Sequence, residues 1–183
     1  MFITEDSRAV STPVPNAAPH TPPLAKWLSS PAIWSVRPDF VGDLHQPLHA
    51  ADNQDRGGNC VPLALGGPRT VNLHSYWDTV AVEAIEPDPI KLATKLSAEI
   101  TPADLKAWRK GDTKAWAWES YAVAKSAVYT IGSKPGCASD AAPIALPAGY
   151  DAAAQAAVAL QLKKAGVRLA LELNRALDPS SAH

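Results

Sequence analysis

Gly42-Asp43-Leu44-His45-Gln46-Pro47-Leu48-His49 and Asn72-Leu73-His74-Ser75-Tyr76-Trp77-Asp78 are the two stretches whose reading decides this chain. His45 and His49 lie four residues apart in the first, and His74 and Asp78 four apart in the second. On a helix, residues i and i+4 share a face, so one turn offers an imidazole beside a carboxylate. Zinc takes histidine nitrogen and carboxylate oxygen at about 2 Å, and a catalytic zinc keeps one position for water. His49, His74 and Asp78 supply three such donors. The pair His74 and Asp78 taken alone reads more readily as a solvated helix face without any metal, since such pairs are common there. The first stretch shifts the balance, because a polar helix beside Pro47 followed by a glycine-rich loop makes poor sense as plain scaffold.

Helical signals spread outward from these two stretches. Phe40 to Ala50 is expected to form a short helix, and a loop with paired glycines follows over 51–70, in which 60–65 (CVPLAL) can run extended. Asn72 caps a helix from Leu73 to about Ile85, closed by Pro87 and Pro89. Pro89 opens the next, which runs to about Ile100. Thr101-Pro102-Ala103-Asp104 is a further start signal. Asp112 or Thr113 begins a longer helix through Tyr129, with Trp116, Val123, Ala127 and Val128 on one buried face. After a Gly/Pro/Ser loop, an alanine-rich helix runs from about Tyr150 to Leu177. No strand alternation and no internal repeat stand out, so the fold class is all-α. The two long helices read as scaffold, and their Trp116, Trp118 and Arg168 as core or supporting residues.

A chain of 183 residues is long enough for one domain with a real core. Seventeen basic residues against 18 acidic give a net charge of -1, which excludes a large basic field that holds nucleic acid by counterion release. No apolar run approaches the roughly 20 residues needed to span a bilayer, and MFITEDSRAV lacks the basic start and apolar stretch of a secretory signal. Seven of the 17 prolines fall before Phe40, so 1–39 is expected to be irregular, with Trp27 and Trp34 able to dock on a core. Residues 40–178 then form the domain and 179–183 a tail. Cys60 and Cys137 can pair in an oxidising compartment, but two inert thiols are the plainer reading.

The two opening stretches, Asp55-Arg56-Gly57-Gly58-Asn59 between them, and the later Trp118-Glu119-Ser120, Ala165-Gly166-Val167-Arg168-Leu169-Ala170 and Leu173-Asn174 resemble the signature blocks of the trinuclear-zinc single-strand nucleases of the S-one/P-one type. The resemblance covers about residues 40 to 177. It implies a helical bundle shared with the zinc-dependent phospholipases C, a cleft with three zinc ions, and hydrolysis of phosphodiester bonds in single-stranded DNA and RNA to 5′-nucleotides. Many members also remove 3′-phosphates, and most are exported; neither a membrane nor a protein partner is implied. Carried over by position, His49, His74 and Asp78 match ligands of the zinc that stands apart from the other two. Asp43 matches the carboxylate bridging the close pair, and Asn59 a residue lining the nucleotide pocket. His45 is not a ligand in the family and reads as a hydrogen-bonded core or supporting histidine.

The resemblance stops abruptly at Phe40. The family's N-terminal Trp and His, and the Asp and His that follow, have no counterpart in residues 1–39, and His20 lies in no motif. Four residues before Asp43, where the family has a zinc-binding His, stands Asp39 after Pro38. The bundle is therefore expected to be incomplete at its N-terminus, as in a truncated or frame-shifted copy of a longer nuclease. If a missing half covers part of the core, the helices near Phe40 and Leu73 expose apolar surface. Three functions compete: an active nuclease or nucleotidase, a zinc- and nucleic-acid-binding remnant without turnover, and a phospholipase C-type hydrolase, to which Gly57-Gly58-Asn59 has less affinity.

Overall fold

Proline and capping side chains set most of the helix ends. The computed structural model describes residues 38–66 and 70–177; the stretch before Pro38 with His20, Trp27 and Trp34, the side chain of Asp39 and the 179–183 tail lie outside them. Helix α1 (Pro38–Leu44) stops short of the expected Ala50. Pro47 has no N–H to continue it, so Gln46 turns extended and caps a separate 3-10 turn, Pro47–His49.

The 60–65 segment forms β1 (Pro62–Ala64), as its sequence allows. It sits centrally in a small sheet, antiparallel to β2 (Thr70–Asn72) and parallel to β3 (Ile144–Ala145), with Leu63 opposite both Val71 and Ile144. The outer strands have two and three residues, too few to carry a readable alternation.

Asn72 caps the next helix as expected, its side chain accepting from the Ser75 N–H at 2.7 Å. That helix is α2 (Leu73–Ser75) and α3 (Ala81–Glu83) joined by one widened π turn, Tyr76–Val80. Asp88 caps α4 (Pro89–Ala98), and Thr101 with Asp104 forms a reciprocal capping box for α5 (Pro102–Trp108). Asp112 caps α6 (Thr113–Ser126), which tightens into a 3-10 turn, Val128–Ile131. The last helix, α7 (Tyr150–Leu177), has the expected bounds. The molecule is mostly helical, as the sequence implied.

The core gathers Leu63, Leu73, Trp77, Val128, Tyr150 and Val158 between sheet, π turn, α6 and α7. Its polar edges are satisfied internally: Trp77 Nε1 donates to Tyr150 Oη at 2.9 Å, and that hydroxyl donates to Val128 O at 2.8 Å. Burial pushes the Tyr150 phenol up to about 12. Of the two places expected to expose apolar surface, Phe40 does, at 51%, whereas Leu73 is fully buried.

Two sequence expectations are corrected. Cys60 and Cys137 form a disulfide, with Cα atoms 5.0 Å apart across 77 residues, because the sheet brings the loop before β1 beside the loop before β3. Trp118 is not a core residue: it is 61% exposed while Trp116 is buried. Two residues further along a helix is a rotation of about 200°, which turns Trp118 away from the face that packs. Among the described residues, no helix is long and apolar enough to cross a membrane.

Candidate metal centre

His49 closes the 3-10 turn, His74 lies in α2 and Asp78 in the π turn. Donor atoms of the three lie within 4.8 Å of one another. His49 Nε2 is 3.3 Å from His74 Nε2, and His74 Nε2 is 3.2 Å from Asp78 Oδ2. A tetrahedral zinc with ligands at about 2.0–2.1 Å has edges of about 3.3 Å, so His74 Nε2 stands at zinc-sphere spacing from both other donors. Two imidazole nitrogens and a carboxylate oxygen are also the donor types zinc accepts. The residues fit the metal.

Two of the three donors are aimed by a neighbour. His74 Nδ1 donates to the Gly57 carbonyl at 2.7 Å, which fixes the tautomer and leaves Nε2 as the free acceptor. Gln46 Nε2 donates to Asp78 Oδ1 at 2.8 Å, which leaves Oδ2 facing His74. The same amide is locked from its other end, where Oε1 accepts from the Leu48 N–H. Gln46 was not among the residues singled out from sequence. Its place directly before Pro47, at the cap of the turn carrying His49, is the signal that marks it.

The glycine loop is built to reach the centre. Asp55, fully buried, accepts from Gly58 N at 2.8 Å and Tyr129 Oη at 3.0 Å. Asp52 accepts from Asp55 N and Gly57 N. A Cβ on Gly57, at φ +62°, would come within 2.8 Å of Leu48 O. Only glycine lets this backbone press against the 3-10 turn and present its carbonyl to His74.

The other expected site residues are placed as follows. Asp43 stands outside the three-donor group, exposed, with Oδ1 3.8 Å from His49 Nδ1. It borders a cleft shared with His49, Trp77, Asp78 and Gln161. Asn59 ends the glycine loop with its Nδ2 on Arg56 O at 2.9 Å, and lines a separate, polar hollow of about 400 Å³ with Thr70, Asn72 and Ser139.

His45 is buried beneath the centre. Its Nδ1 donates to Val41 O at 2.7 Å and its Nε2 accepts from Arg168 Nη1 at 2.8 Å, so the ring is the neutral Nδ1–H tautomer. Burial lowers its pKa, and the Arg168 charge adds to that. Arg168 meanwhile grips both Glu119 oxygens, donates Nε to Trp108 O at 3.1 Å, and lies 4.9 Å over the Trp116 ring. Burial opposes the Glu119 charge, yet the hydrogen bonds from Arg168 and Lys164 win and hold its carboxyl below the usual range. Gln161 adds a brace by donating to His45 O and Ser120 Oγ. The His45 and Arg168 supporting roles expected from sequence are thus what the structure contains.

Comparison with known proteins places this geometry in a lineage. The model of the family described as S1/P1 Nuclease matches residues 33–178. Endonuclease 2 of Arabidopsis thaliana is 43% identical over 49 residues, which is 27% of this chain and 17% of that protein. Endonuclease 4 of the same plant is 32% identical over 77 residues, 42% of this chain and 25% of the relative. Nuclease S1 of Aspergillus oryzae is 48% identical over 40 residues, 22% of this chain and 13% of that protein. The aligned stretches therefore span a quarter or less of these relatives' lengths. With its family match running from ahead of α1 to the end of α7, the chain belongs to the S1/P1 nuclease family.

Proposed function

We propose that this chain hydrolyses phosphodiester bonds of single-stranded DNA and RNA at a zinc centre, in nucleic-acid breakdown. The observation that carries the reading is the convergence of His49, His74 and Asp78, with donor atoms within 4.8 Å of one another, inside the family region. When bound, zinc would acidify a water and neutralise phosphate oxygens, which lets a nearly neutral protein act on a polyanion. Gln46 and the Gly57 carbonyl hold the Asp78 and His74 donor atoms toward one point. Asp43 reaches out beside them as a donor for a further ion, in keeping with the three zincs of the family. Asn59 offers its amide to a nucleotide.

A second reading is a zinc- and nucleic-acid-binding remnant without turnover. It is favoured by one observation: among the described residues only one three-donor group is present, and Asp43 lies outside it. Elemental analysis together with cleavage of single-stranded DNA separates the two. Three zincs per chain and chelator-sensitive cleavage are expected of the nuclease. About one zinc, lost in His74→Ala or Asp78→Ala, with no cleavage, would establish the remnant. Cleavage that survives a chelator would sink both.

A further inference from the structure

Helix α6 buries Trp116, Ser120 and Ala124. Its opposite face carries Lys114, Trp118, Tyr121 and Lys125, all exposed. Steps of four, three and four residues keep all four on one ridge, about 16 Å long at 1.5 Å per residue. The two rings meet edge to face with centroids 5.5 Å apart, and Lys125 Nζ lies 5.8 Å from the Tyr121 centroid. Alanines 115, 117 and 122 flank the rings, so no long side chain shields them. Among the described residues neither lysine is in an ion pair.

Trp118 and Tyr121 together make a contiguous exposed aromatic patch, and a patch is what marks a contact site where a lone exposed ring does not. Lysines at both ends argue against a protein partner, since lysine is depleted where protein interfaces bury apolar surface. Aromatic faces between cations are what an unpaired strand needs, with bases stacking on rings and phosphates meeting the charges. We propose that this ridge is a contact for single-stranded polynucleotide, separate from the metal centre, with bases on Trp118 and Tyr121 and phosphates at Lys114 and Lys125. The ligand class rests on the nuclease reading, but the geometry does not. A local grip of this kind supplies what the net charge of -1 cannot supply as a general field.

The test is titration of the full chain with a cleavage-resistant phosphorothioate dT 12-mer, read by tryptophan fluorescence. Trp118→Ala is expected to weaken binding about tenfold. Lys114→Gln with Lys125→Gln is expected to reduce the slope of log K against log salt by about 1.4, from two phosphate contacts. Because all these side chains are exposed, the variants keep the fold, which circular dichroism checks. Unchanged affinity and slope in both variants would overturn the proposal. So would equal, Trp118-dependent binding of a duplex, or Trp118-dependent self-association in sedimentation. Cleavage of a dinucleotide, too short to span the ridge, is expected to be the same in all variants. If dinucleotide cleavage is absent while Trp118-dependent binding persists, the nuclease reading fails and the ridge stands. If cleavage is present while the variants bind like the parent, the ridge alone fails.

Discussion

Gln46 shows how much a candidate metal centre owes to a residue outside its donor group. Its amide spans from the Leu48 N–H to Asp78 Oδ1, so one side chain fixes both the turn bearing His49 and the carboxylate facing His74. Gln46→Leu keeps the size but frees Asp78 to rotate. We expect zinc affinity to fall about 10- to 100-fold, as for other residues that orient metal ligands. Competition with a chromophoric chelator measures it, and an unaltered affinity would remove Gln46 from the centre. At this scale the approach of His74 to Asp78 was legible, because four-residue spacing puts both on one side of a helix, whereas His49 reaches them from a separate turn that only the fold brings close. Gln46 was not legible, since its partner is 32 residues away and only the fold brings them together. Trp118 was misread for the opposite reason: a tryptophan beside a buried one carries the same hydrophobic signal whichever face it occupies.

Among elements, the glycine loop does the most for the least length. It needs left-handed backbone at Gln54, Arg56, Gly57 and Gly58, and it stacks its backbone on Leu48 and His74. Gly57→Ala therefore costs about 1–2 kcal/mol from conformation alone, with more from the clash against Leu48 O. Urea denaturation is expected to show at least that loss, with zinc affinity falling too because the Gly57 carbonyl aims His74. Stability like the parent's would mean that the turn can shift aside. Helix starts were readable from single residues, since Asn72, Thr101 and Asp112 cap and Pro89 opens a helix as their chemistry suggests. The break at Gln46 was less so, because Pro47 can open a helix as easily as end one. The sheet stayed hidden because its strands are very short and one of them, β3, meets Leu63 from far along the chain.

In the whole molecule, the disulfide ties the loop before β1 to the loop before β3. Cys60 directly follows Asn59, so the bond anchors the residue proposed to meet the nucleotide. Replacing Cys60 and Cys137 together by Ser is expected to lower stability by about 2–4 kcal/mol, the usual effect of cutting a long covalent loop. Thermal unfolding with and without reductant checks it: the parent should lose stability on reduction and the double variant should not. Equal melting of parent and variant under oxidising conditions would show that the sheet alone holds the loops. Pairing was not decidable from two cysteines, because spacing in sequence says nothing of distance in space.

The same bond imposes an order of assembly. Cys137 is synthesised 77 residues after Cys60, about 4–15 s later at ~5–20 residues per second. His49, the glycine loop, His74 and Asp78 have all been made by then, and so has α6. The ring therefore closes on a chain in which the donor segments and α6 have already been made. If those segments pack as they emerge, the disulfide seals an arrangement it had no part in choosing.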